Sequence, residues 1–209
     1  MRAPSLGSGI LLAASVLLAA CTTTHFTSAW RDSTYQGPPL KKIVVVGVAN
    51  EIAARRVFED EFSKALIAAG VDATPGYRLL PEKPDRSVEQ LREAVMHNEA
   101  DGILVARTLR TERRTDYTPG TVMVGPAWGY PNFWGFYGAN AFYTEPTFYT
   151  YDVVTIETNL WPAKDGHVLW SALSESTDPS NVVKLTGELS KLVIGALVEQ
   201  KLIAPPPPK

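Results

Sequence analysis

The residues of this chain that could do chemistry are few and far apart. Its three histidines, His25, His97 and His167, have no second histidine or cysteine at metal-ligand spacing, so no metal site is expected. No G-x-S-x-G nucleophile turn and no glycine-rich phosphate loop occurs. Glu59, Asp60 and Glu61 are consecutive acids. On a helix they point in different directions, so they read as a solvated face. The run RTERRTD, Arg110 to Asp116, places Arg110, Glu112 and Arg114 on one face of a strand and Arg113 on the other. Arg110 and Arg114 could hold an anion such as a lipid head group or a glycan. The plainer reading is a face of cross-strand ion pairs, with Glu157 as a partner. No catalytic residue and no cofactor is expected, and the chain reads as a non-enzyme.

The remaining reactive group is a thiol. Cys21 is the only cysteine, so there is no disulfide framework. It follows Arg2, the apolar run LGSGILLAASVLLAA from Leu6 to Ala20, and the small residues Ala19 and Ala20. The run suits a secretory signal and is shorter than a membrane span. Leu18, Ala19, Ala20 and Cys21 together resemble the bacterial lipobox. That resemblance implies cleavage of residues 1–20, with Leu18, Ala19 and Ala20 recognised by the signal peptidase, and acylation of Cys21 by palmitate-type chains. Each methylene buried in the bilayer contributes about 0.8 kcal/mol, so two or three chains make a stable anchor. The competing reading is an ordinary secretory signal with an incidental cysteine. Thr22 rather than Asp after the cysteine implies, by the same resemblance, the outer membrane, with the domain facing the periplasm.

The elements that must position these groups follow from periodicity. Residues 21–40 read as a lipidated cysteine and tether, with Trp30 a point where the tether could dock. KIVVVGVA, Lys42 to Ala49, is an unbroken apolar run and reads as a strand covered on both faces. Phe58, Phe62, Leu66 and Ala69 form one stripe of a helix over 51–69 that Gly70 ends. A short strand is expected within 71–80, a helix from Ser87 opened by a capping box, and a strand at 103–106 that continues into Arg107–Tyr117. Tyr151–Trp161 alternates, Asp165-Gly166 marks a turn, His167–Ser176 returns, and a helix covers 181–200. The expected order is β-α-β-α-β-β-β-α, an α+β class with a mixed sheet over residues 41–203. Pro-rich residues 204–209 read as a solvated tail. The formal charge of −2 with no basic block gives no support to a nucleic-acid role.

Between two of these strands, residues 118–150 are expected to form a long hairpin insertion. GPAWGYPNFWGFYGANAFYTEPTFYTY holds 11 of the chain's 20 aromatic residues. Gly129, Pro131, Gly135, Gly138 and Pro146 break any regular element, so this is not regular core. A loosely packed insertion and a contact surface formed by Trp128, Tyr130, Phe133, Trp134, Phe136 and Tyr137 both remain open.

WRD before the first run, KIVVVGVA, the Phe58-Glu59 helix, Asp101-Gly102-Ile103-Leu104-Val105 and the Gly166–Ser171 hairpin together resemble small lipoproteins of Gram-negative bacteria. Their domain is similar to the amino-terminal domain of the Tol β-propeller protein, and to curli-secretion and penicillin-binding-protein-activator lipoproteins. The resemblance covers about residues 30–202 and rests on loose apolar and glycine patterns. It implies a periplasmic role in protein binding or envelope assembly, with an envelope protein as partner, and carries no site residue across. The alternative is a lipid- or glycan-binding protein using the arginine strand and the aromatics together.

Overall fold

In the computed structural model, residues 24–79, 88–120, 131–132, 134, 145–164 and 166–205 are described. Among them, six strands and four helices follow in the order β1 (Thr24–Arg31), β2 (Lys42–Val48), α1 (Ile52–Ala68), β3 (Asp72–Pro75), α2 (Gly76–Leu79), α3 (Val88–His97), β4 (Gly102–Thr118), β5 (Thr147–Pro162), β6 (Trp170–Thr177) and α4 (Val182–Glu199). The strands form one mixed sheet, β1-β6-β5-β4-β2-β3. β2 pairs in parallel with β3 and β4, and the remaining pairings are antiparallel. The α+β class with a mixed sheet is therefore as expected, while the element order is not.

The apolar periods explain the layers. Phe62 and Leu66 of α1 and Leu189, Val193 and Leu197 of α4 pack on one face of the sheet, against Ile43, Val45, Leu104, Ile156, Leu160 and Trp170. α3 sets Val95 against Val44 on the opposite face. β2 is thus covered on both sides, as its unbroken run requires. Asn181 caps α4 by accepting from Lys184 N at 2.9 Å. The C-terminal segment closes one end of the core, where Leu40 N donates to Leu202 O at 2.8 Å and Leu202 and Ile203 are buried.

Two expectations are corrected. The first is the tether over 21–40. Residues 24–31 are a strand, paired antiparallel with β6 from Thr24↔Ser176 to Arg31↔Trp170. Phe26 meets Trp170 edge to face at 5.8 Å, Thr24 Oγ1 donates to Glu188 Oε2 at 2.7 Å, and Arg31 Nη1 donates to Gln200 O at 2.7 Å. The sheet therefore begins at residue 24 rather than 41. Its alternation is hidden in the sequence because a bulge between Phe26 and Ser28 shifts the period. Trp30 lies in β1 and is exposed.

The second is the acidic triplet on α1. Asp60 and Glu61 pair with Arg78 and Lys64 near the surface, but Glu59 is 1% exposed. Its Oε1 accepts from Gly47 N at 3.0 Å, its Oε2 from Tyr77 N at 2.7 Å, and Arg55 Nε lies 3.3 Å away. The carboxylate ties the end of β2 to the first turn after β3. Gly76 leaves room for that junction, since a Cβ there would stand 3.0 Å from Val45 O. A buried charge is tolerated when it is paired and hydrogen-bonded, and Glu59 has both.

Candidate contact surface at one end of the sheet

β4 and β5 are about twice as long as their neighbours, and that difference creates the candidate site. β2 leaves β4 at the pair Val48↔Arg107, and β6 leaves β5 at Thr177↔Val153. Beyond those pairs, among the described strands, Arg113–Thr118 and Thr147–Asp152 pair with each other alone, from Arg113↔Asp152 to Thr118↔Thr147, and Asp178 N donates to Asp152 O at 2.7 Å at the ribbon's base. At about 3.3 Å per residue this two-stranded ribbon reaches about 20 Å past the sheet.

Aromatic side chains cover both faces of the ribbon. Tyr117 and Phe148 are opposite one another with ring centroids 5.0 Å apart. On the other face Tyr149 and Tyr151 stack at 5.6 Å. Tyr117, Phe148 and Tyr149 are 57%, 68% and 57% exposed. The Tyr151 hydroxyl donates to Asp116, which together with partial burial holds its pKa above the usual phenol value. Arg113 pairs with Asp152 at 3.1 Å and Thr115 with Thr150 at 3.0 Å.

The arginine strand lies at the base of the ribbon. A register shift between Thr108 and Arg110 inserts one residue, and so brings Arg107 to the same face as Arg110, Glu112 and Arg114. Glu157, the partner expected for the Arg110–Arg114 run, instead pairs with Arg107. Arg114 Nη2 lies 3.1 Å from both Glu112 Oε2 and Glu175 Oε1. Arg110 Nε lies 2.9 Å from Glu112 Oε1, with its Nη2 3.8 Å from Glu175 Oε1. Hydrogen bonds to Glu175 first, then Glu112, raise the Arg114 pKa further. Two guanidinium groups and two carboxylates thus form a balanced set, and an incoming anion would have to displace a carboxylate. Glu175, on β6, was not identified from sequence, because the pairing of β6 with β5 that places it there has no signature in its own segment.

A concavity of about 110 Å³ opens where β2 ends beside the middle of β4, between the first turns of α1 and α4. Arg55, Arg107 and Thr186 give it polar groups, while Val48, Ala54, Phe58, Ile156 and Leu185 make most of its wall apolar. Both arginines are ion-paired, to Glu59 and Glu157. Among the described residues, no group of three His, Cys, Asp or Glu side chains is placed to hold a metal. His25 lies on β1, His97 ends α3, and His167 precedes β6.

Of the expected contact residues, Trp134 is 77% exposed. Trp128, Tyr130, Phe133, Phe136 and Tyr137 lie outside the described residues, as do Leu18, Ala19, Ala20 and Cys21. The expected hairpin insertion over 118–150 falls largely outside them too. At its flanks Thr118 and residues 147–150 belong to β4 and β5. Among the described residues no helix is long and apolar enough to cross a membrane.

No protein-family model matches the chain, and no curated protein matches it. Among solved structures it is similar to the PelC dodecamer from Paraburkholderia phytofirmans, at 16% identity over 79% of this chain and 94% of that one, with a TM-score of 0.44. It is similar to lipoprotein GNA1162 from Neisseria meningitidis, at 14% identity over 77% and 96%, with a TM-score of 0.39. A PDZ domain protein from Parabacteroides distasonis matches at 14% identity over 83% and 34%, with a TM-score of 0.31. At these scores the likeness carries neither a site nor a function across. None of these three is a Tol, curli-secretion or penicillin-binding-protein-activator protein.

Proposed function

We propose that this chain is a periplasm-facing outer-membrane lipoprotein, anchored through Cys21, whose non-catalytic domain acts by contact with another envelope component in an assembly role. The observation that carries the contact reading is the ribbon. It puts three large aromatic side chains in solvent on strands that extend past every neighbouring strand. Exposed aromatic area of this kind marks interaction surfaces, because rings bury much surface at little side-chain entropy cost. The anchor rests on the lipobox resemblance of Leu18–Cys21. A lipid or glycan held by Arg110 and Arg114 is the weaker reading, since Glu112 and Glu175 already balance them.

The test is site-specific photo-crosslinking in intact cells. A photoreactive residue at Phe148 should form adducts with envelope components, while the same group at exposed Ile67, near the opposite end of the molecule, should form few. Equal labelling at both positions would contradict a contact role for the ribbon.

A further inference from the structure

Strand direction decides which features share an end of this molecule. β2 and β4 are parallel, β5 is antiparallel to β4, β6 to β5 and β1 to β6. The start of β1 therefore lies at the same end as the finish of β2, β4 and β6. Thr24 pairs with Ser176, which pairs with Val154, which pairs with Thr111 at the base of the ribbon. Thr24 is three residues after Cys21. At 3.3–3.6 Å per residue those three residues span at most about 11 Å. An anchor that was expected to hold the domain on a long tether instead holds it close.

The same end carries most of the exposed large apolar side chains. Val48 ends β2, Ile52 opens α1, Leu109 sits at the β4 bulge, and Val183 lies in the first turn of α4. All four are exposed. With Tyr117, Phe148 and Tyr149 on the ribbon they make seven of the twelve exposed large hydrophobics among the described residues. The opposite end, where Asp101 receives Lys41 N and Lys42 N at 2.9 Å, carries fewer of them: Trp30, Ile67 and Met96.

We propose that this end is seated on the bilayer that receives the Cys21 acyl chains, with the ribbon's rings at head-group level and the Asp101–Lys164 end in solution. The inference rests on the lipoprotein reading above and names the contact partner of the same ribbon. Tyrosine and tryptophan settle at membrane–water interfaces, where the ring is in apolar surroundings and the polar tip stays wet. A two-stranded ribbon is marginal in water by itself, and an interface that accepts its rings would stabilise it. The anchor supplies a high effective concentration, so weak affinity of the ribbon for lipid suffices. The short span also favours the bilayer as the partner, because it keeps the start of β1, at the ribbon's end of the sheet, within about 11 Å of the anchored residue.

The experiment uses the full acylated chain in vesicles of phosphatidylethanolamine with a minority of phosphatidylglycerol. A single thiol-attached fluorophore is placed at Thr118→Cys or at Lys164→Cys, and lipids carry a quencher in their acyl chains. The thioether of acylated Cys21 leaves the introduced thiol unique. Quenching at position 118 should exceed that at 164 several-fold, and the triple substitution Y117S/F148S/Y149S should reduce it at least twofold with acylation unchanged. Equal weak quenching at both positions, or stronger quenching at 164, would overturn the orientation. So would a probe at 118 that is shielded from an aqueous quencher yet untouched by the lipid quencher, which would assign the ribbon to a protein partner. The mass of the amino-terminal peptide separates the two layers of the claim. An unacylated Cys21 removes the anchor and this inference together, whereas an acylated chain with an unquenched ribbon removes the inference alone.

Discussion

β4 and β5 pass through two environments, and their inner and outer halves obey different rules on one continuous ladder. In the inner half Leu104 and Leu160 are opposite one another and buried beneath α1 and α4. In the outer half Tyr117 and Phe148 are equally well paired, and both are exposed. The backbone hydrogen bonding is the same, so pairing alone does not make a core. A layer of helix does. The outer half keeps large apolar side chains where no described element covers them.

The comparison breaks first, if it breaks, at Glu59. Glu59→Ala should cost about 3–5 kcal/mol in urea unfolding, because Arg55 loses its buried partner and two backbone N–H groups lose their acceptor. A loss below about 1 kcal/mol would mean that the junction of β2 with α2 is held by packing alone. Leu104→Ala should cost about 2–5 kcal/mol through the cavity it leaves. Phe148→Ala, on the same ladder, should stay within about 0.5 kcal/mol in vesicle-free buffer. Similar costs for the two would show that the ribbon is core.

Smaller effects sharpen the contrast. Glu175→Gln removes a carboxylate shared by Arg110 and Arg114. Both cations are substantially exposed, so the expected loss is about 1 kcal/mol or less, shrinking further in high salt. The same variant should gain affinity for inorganic phosphate over the native chain if the arginine strand is an anion site held in check. No gain in calorimetry would close that reading. The smallest effect lies at the far end, at Asp32. The Thr34 hydroxyl and then the Thr34 N–H, at 2.6 and 2.8 Å, hold its carboxyl below the usual aspartate value. A depressed carboxylate stabilises the fold above the ordinary aspartate pKa, and that contribution disappears as pH falls through the folded-state value. Thr34→Val should therefore lower stability slightly at neutral pH, leave it unchanged below the folded-state pKa of Asp32, and so flatten the acid limb of a stability–pH curve.

What the sequence made legible was whatever repeats with a period. The stripe Phe62, Leu66 and the stripe Leu189, Val193 gave α1 and α4, and the run from Lys42 to Val48 gave the doubly covered strand. What escaped depends on breaks in period. The bulge in β1 disguises its alternation, so Thr24–Arg31 reads as tether. The shift after Thr108 re-faces every residue beyond it, so Glu157 reads as a partner of Arg110 when it meets Arg107. Glu59 escaped for another reason. Its acceptors' partners are backbone N–H groups of Gly47 and Tyr77, and no residue type announces such a contact. The ribbon's base was readable from alternation, but its direction relative to Cys21 was not, because that depends on the pairing of β1 with β6.

The most direct test of the account is hydrogen exchange on the full acylated chain, with and without bilayers. The account predicts that amides of Arg113–Thr118 and Thr147–Asp152 become strongly protected on the bilayer, while those of Lys42–Val48, already in the core, exchange at the same rate in both states. Unchanged exchange across the ribbon in the presence of lipid would contradict it.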